Sequence, residues 1–182
     1  AGEVVTRSDL VGIATQPIAA NVDGAIAVAG VFDIVKTSAL AIAVGDDVYF
    51  NPVTNEANKT AGVRALGTLT LSVAAPSDAE TVTIGTRVYT FKTTPVLPDA
   101  VAIGGSIANA CINLAAAINS GILGSLPNSQ VTATSTSTTV VATAIDYGTA
   151  GNSIVTTETM VNGVWGAANL ATGAGGPKVG KC

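Results

Sequence analysis

The chain contains no histidine. This removes the commonest general base, the Ser-His-Asp and Cys-His arrangements, and the commonest zinc ligand. Ser-Lys and paired-carboxylate chemistry are what remain in principle. Asp46-Asp47 is the one adjacent acidic pair. Its spacing matches no calcium loop, and neighbours in a strand-like segment point to opposite faces, so it reads as a turn ahead of a strand. Gly104-Gly105 precedes a predicted helix and could present its N-terminus to an anion, but a plain loop into the cap is the simpler reading. Gly173–Gly176 lacks the lysine and spacing of a phosphate loop. Tyr89, Phe91 and Trp165 could form a platform for a sugar, yet apolar positions surround them and favour core packing. Cys111 falls on the apolar face of the same helix, where a buried free thiol is expected, and the pairing of Cys182 is left open. Asn58-Lys59-Thr60 fits a glycosylation acceptor pattern short enough to arise by chance. No catalytic, cofactor-binding or metal-ligating residue is assigned, and the chain is expected not to be an enzyme.

Composition points to a β-rich, weakly charged protein. Of 182 residues, 48% are apolar, 11% charged and 4% aromatic, with a net charge of −4. Small β-branched side chains, abundant threonine and twenty glycines suit strands and turns. The hydrophobic content excludes a disordered chain. The eight basic residues are scattered, from Arg7 to Lys181, which argues against nucleic-acid binding. No apolar run reaches the roughly 18–20 residues of a membrane span, and no signal-peptide pattern opens the sequence. So little charge suits a surface docked against copies or partners, although exported β proteins share it.

These residues must be carried by strands and one helix. In the block 1–66, two short strands flank Ser8-Asp9. AIAVAGVFDIV reads as a further strand bent at Gly30, with Phe32 and Ile34 on its half-buried face. Ala39–Val44 is open between a helical turn and a strand. After the Gly45-Asp46-Asp47 turn, Val48 and Phe50 alternate in the next strand, and Asn51-Pro52 marks a polar turn. In the block 67–174, ETVTIGTRVYTFK alternates, with Val82, Ile84, Val88 and Phe91 apolar and a tight turn at Gly85-Thr86. Ile107, Cys111, Leu114 and Ile118 lie on one face of a helix over 106–119, with Ser106 as N-cap and Gly121 at the stop. VTATSTSTTVVATA, around Thr134–Thr139, reads as a threonine-rich hairpin, and SIVTTETMV as a last strand. The expected fold is mainly β with α+β character: a small β-rich domain, then an α+β module of strands packed on one amphipathic helix.

The first block carries a family resemblance. AVAGVFDIVK, a small apolar segment and AVGDDVYFN resemble the capsid cement (head decoration) proteins of tailed bacteriophages. ETVTIGTRVYTFK, GGSIANACINLAAAINSG and ATAIDYGTAGNSIVTTETMVNGVWG resemble a domain that recurs in tailed-phage virion proteins. The second resemblance covers nearly all of 67–174 and includes Gly148–Asn152 before the last strand and Trp165-Gly166 after it. Cement-like domains close with a further segment of lysine–small–glycine–small type. That segment is missing after Ala61, while Pro177–Cys182 resembles its start. The second module is therefore expected to be inserted or appended at 67–174, with the cement-like domain, 1–66, continued by 175–182. The closing strand would then follow Cys182, and both ends are expected to be incomplete.

The resemblance implies a structural virion protein, made in the bacterial host cytoplasm, that binds the outer capsid surface and stabilises it. It implies a homotrimer over local three-fold positions, with the major capsid protein as partner and neither nucleic acid nor membrane involved. Residues Ala1–Leu10 are expected near the shell or a neighbour. The alternatives are a tail or baseplate component, and a host-surface glycan-binding module with Trp165 or Tyr89 at its site.

Overall fold

The tip Ser8-Asp9, with Ser8 at φ +53°, folds the first strands back on each other as expected. The computed structural model describes residues 2–182. β1 (Val4–Arg7) and β2 (Leu10–Ala14) pair antiparallel, and β2 continues the sheet to the two-residue β3 (Ile26–Ala27). The strand expected to run on through Phe32 and Ile34 ends at Ala27. Alternation alone does not make a strand, because the main chain needs a neighbour to pair with. The first such pairing is a single parallel bridge from Lys36 to Ala57, so Val31 stands fully exposed and Phe32 exposed. Ala39–Val44 forms neither helix nor strand; it contains a turn with Ala39 at φ +60°.

β4 (Asp47–Asn51) and β5 (Glu56–Asn58) make the next hairpin, burying Val48, Phe50 and Ala57. β6 (Arg64–Leu71) then enters the larger unit. β7 (Thr81–Ile84) and β8 (Arg87–Lys92) form the expected hairpin, with Gly85 at φ +63°, and β9 (Ala100–Ala102) adds to β8 in parallel. Val88 is exposed and Tyr89 buried, the reverse of the expected face for Val88. The register explains it. Val82 pairs with Tyr89 and Thr83 with Val88, and residues directly opposite share a face. A buried Val82 therefore brings Tyr89 inward.

α1 (Ile107–Ser120) lies within one residue of its expected span. Ser106 Oγ accepts from Asn109 N at 3.2 Å, and Gly121, at φ +70°, donates to Ala117 O. Its buried face, including Cys111, Leu114 and Ile118, packs against β9, β10 (Val131–Ser135) and β11 (Thr139–Tyr147). β10 and β11 are the threonine-rich hairpin. A 3₁₀ turn (Thr149–Ser153) follows. The last strand is shorter than expected: Ser153 ends the 3₁₀ turn, Val155 makes a single bridge to Asn169, and β12 (Thr156–Glu158) pairs with β7. β13 (Gly163–Trp165) pairs with β6. The larger unit thus holds two four-stranded sheets, ordered β10-β11-β6-β13 and β12-β7-β8-β9.

The chain then returns. β14 (Lys178–Lys181) pairs antiparallel with β4, completing a sheet ordered β14-β4-β5. The two crossings between this sheet and the larger unit run side by side, bridged Ala61 to Gly176 and Val63 to Ala174. The fold is mainly β with α+β character.

Candidate interaction surface

The acidic pair is divided between Lys59 on one side and Lys178, with Lys181 farther off, on the other. Asp46 Oδ2 accepts from Ala43 N at 2.8 Å and lies 2.8 Å from Lys59 Nζ, while Asp47 Oδ1 lies 2.8 Å from Lys178 Nζ. Lys59 and then the Ala43 amide hold the Asp46 carboxyl below its usual range; Lys178, foremost, does the same for Asp47. The pair therefore fixes a turn and ties β4 to β14. Among the described residues no three His, Cys, Asp or Glu side chains converge as a metal site would require.

The glycine-rich stretches have steric roles. Gly104 and Gly105 take φ +73° and +74° ahead of α1, and Asn109 Nδ2 donates back to Gly104 O at 2.8 Å, so the helix start is capped by its own side chains. Gly173 exchanges two hydrogen bonds with the Asn152 amide, at 2.8 and 3.0 Å. Gly176 lies so close to Phe50 that a Cβ there would meet a main-chain oxygen.

Tyr89, Phe91 and Trp165 are core residues. Tyr89 and Phe91 are fully buried and Trp165 nearly so, its indole N–H donating to Thr157 O at 3.3 Å. Asn128 Nδ2 donates to the Tyr89 hydroxyl at 3.1 Å, and burial pushes that phenol up. A sugar platform built on Trp165 or Tyr89 has no exposed ring to use. Cys111 is buried and burial raises its thiol, whereas Cys182 is exposed. No helix among the described residues is long and apolar enough to cross a membrane.

What the surface offers instead is hydrocarbon. Between β3 and β4, Val28, Val31, Val35 and Val44 are 60%, 101%, 71% and 97% exposed. Monomers rarely leave so much apolar surface in one segment without a partner for it. The chain here runs beside a groove of about 730 Å³, whose lining includes Val31, Phe32, Ile34, Ile42, Val48 and Val179. One wall is β14, whose far edge pairs with no strand among the described residues. Sequence reasoning placed Phe32 and Ile34 in a strand face and did not foresee this groove. A strand pattern in a stretch with no turn-and-return partner nearby was the one available signal.

No curated protein and no solved structure matches the chain. A family model does, over a span that takes in the exposed apolar segment and continues through β6 and β7. Residues 1–87 match the model of the phage cement protein, so the N-terminal part of this chain is similar to that family.

Proposed function

We propose that this protein is a capsid decoration subunit: it binds the outer surface of a phage shell, against the major capsid protein, and stabilises the shell as a homotrimer. The family match supports a structural, capsid-associated role. The observation that carries the finer reading is the exposed valine run of residues 28–44, which lies inside the matching block. Burying a valine side chain is worth on the order of 1.5 kcal/mol. Several such contacts, repeated around a trimer, give multivalent attachment without charge, in a chain that has little charge to use. The role is adhesive, with no catalytic step, and the protein acts on the virion after synthesis in the host cytoplasm. Leu10 and the rest of the N-terminal hairpin face the same partner; Ala1, part of the span expected near the shell, lies outside the described residues.

We read residues 1–66 and 175–182 as one cement-like domain and 67–174 as a virion module set into it, pointing outward. The return of β14 to β4 and the side-by-side crossings at Ala61–Val63 and Ala174–Gly176 support this division.

The test is addition of purified protein to expanded capsids that lack it, followed by thermal disruption. Bound protein should raise the disruption temperature. Val31→Asp with Val35→Asp should abolish binding while leaving the subunit's own melting unchanged, since both side chains lie in solvent. Recovery of the protein only in tail fractions of virions would overturn the reading.

A further inference from the structure

Residues 2–34 hold β1–β3 and their loops. Among the described residues no main-chain hydrogen bond joins them to residues 35–182. Every side-chain hydrogen bond across that divide comes from three consecutive residues at the β1–β2 tip. Arg7 Nη1 meets Asp146 Oδ2 at 2.5 Å, and Arg7 Nη2 donates to Ser129 O at 2.8 Å. Ser8 N donates to Asp146 Oδ1 at 2.8 Å. Arg64 Nη2 donates to Ser8 Oγ and to Asp9 Oδ1, each at 3.0 Å, and the Tyr147 hydroxyl donates to Asp9 Oδ1 at 3.0 Å. The Arg64 guanidinium also stacks 4.5 Å from the centre of the Tyr147 ring.

The receiving side is built for this. β11 departs from its register with β6 between Thr143 and Tyr147, and such a bulge re-aims the side chains that follow it. Asp146 lies in that irregular stretch and Tyr147 resumes the register, with Arg64 opening β6 directly opposite Tyr147. Beside β2 a small gap of about 80 Å³ is lined by Val11, Ile13, Ala27, Phe32 and Ile34 of this part and by Val179 of β14. Ion pairs that stand this far in solvent, with Arg7 57% and Asp9 76% exposed, are the kind that salt screens.

We propose that the β1–β2 tip is a salt-sensitive clasp. Closed, it pins the N-terminal sheet to β6 and β11 of the larger unit and fixes the angle between them. Open, it frees the sheet to swing on the unpaired chain of residues 28–34. The clasp gives the N-terminal sheet and the larger unit a mechanical connection separate from the paired crossings at Ala61–Val63. It does not depend on the capsid reading.

The test is hydrogen exchange of the Ser8 amide in the full chain, with trypsin cleavage after Arg7 as a second readout. Measurements are made at about 0.01 M and about 1 M salt, where the screening length falls from about 30 Å to about 3 Å. Raising the salt on the unaltered protein, or Asp146→Ala at low salt, should speed both readouts roughly tenfold while the buried amides of α1 keep their protection. Ser8 exchange and Arg7 cleavage that stay within about twofold across salt in the unaltered protein would overturn the proposal, whatever the variant does.

Discussion

Gly176→Ala should release the C-terminal strand and leave the larger unit intact. A Cβ at Gly176 would lie 1.6 Å from Phe50 O and 2.9 Å from Pro52 Cδ. A main-chain oxygen cannot rotate aside, so the segment around Gly176 must lift away from β4. The glycine's φ lies outside the left-handed region, so what the site demands is space and not a special conformation. Three main-chain hydrogen bonds depend on that approach: Phe50 N to Pro177 O at 3.0 Å, Cys182 N to Asp46 O at 3.1 Å, and Gly45 N to Cys182 O. At about 1 kcal/mol each, they amount to about 3 kcal/mol of local stability. That is on the order of a hundredfold in the opening equilibrium of β14. Gly180→Ala is the matched control, because nothing lies within 4 Å of a Cβ there. It should cost less than about 0.5 kcal/mol. Amide exchange of Phe50 and Cys182 reads the difference, with the amides of α1 as the internal reference. If the two alanine variants protect the Phe50 amide equally, the close-approach argument is wrong.

Tyr89→Phe removes the partner of the buried Asn128 amide and should destabilise the larger unit by about 1–3 kcal/mol in urea unfolding, more than loss of a hydroxyl from an apolar pocket would. Thiol titration of the native protein near pH 8 should count one fast cysteine, Cys182; Cys111 should react only on unfolding, since burial both shields its thiol and raises it. The β14–β4 pairing should weaken in acid below about pH 4. Lys59 and Lys178 depress the Asp46 and Asp47 carboxyls in the folded state, so their contribution is complete above the ordinary carboxylate range and is lost as pH falls through the lower folded values. Lys178 is raised, chiefly by Asp47, so its share is complete below the ordinary lysine range and lost above the folded value. Exchange of the β14 amides, corrected for intrinsic rates, should be flat between these limits.

The parts that could be read from sequence were those whose determinants lie close together along the chain. α1 announced itself through Ile107, Cys111, Leu114 and Ile118, with Ser106 and Gly121 at its ends, and all of these act within one helix. The β7–β8 hairpin followed from Gly85, but assigning Val88 to a face needed the register that the two-residue turn imposes. β9, β13 and β14 are three or four residues long and owe their existence to partners contributed by other segments. The clasp was invisible for the same reason, since Arg7 and Asp146 carry no signal of each other in the sequence. At Phe32 and Ile34 the alternation was real, yet the surrounding chain supplied no strand to pair with, so a core pattern became a surface.

The contrast between the two parts of the molecule makes that surface meaningful. The larger unit buries Leu69, Ile84, Tyr89, Phe91, Leu114, Ile118 and Leu170 in one continuous cluster. Among the described residues the N-terminal block contributes only Ala14, Val48, Phe50 and Ala57 to the buried hydrophobic set outside that cluster. Four side chains, two of them alanine, cannot by themselves hold some sixty residues against chain entropy. The block is held by other means: the glycine contacts at Gly62 and Gly176, the lysine pairs on Asp46 and Asp47, and the clasp at Arg7–Asp9. Each of these fixes position while burying little hydrocarbon. The valines of residues 28–44 are then the block's unspent hydrophobic content, and covering them with a partner would stabilise the block as well as the complex. On the capsid reading, the subunit and the shell strengthen each other through the same surface, which is what an adhesive protein with a thin core of its own requires.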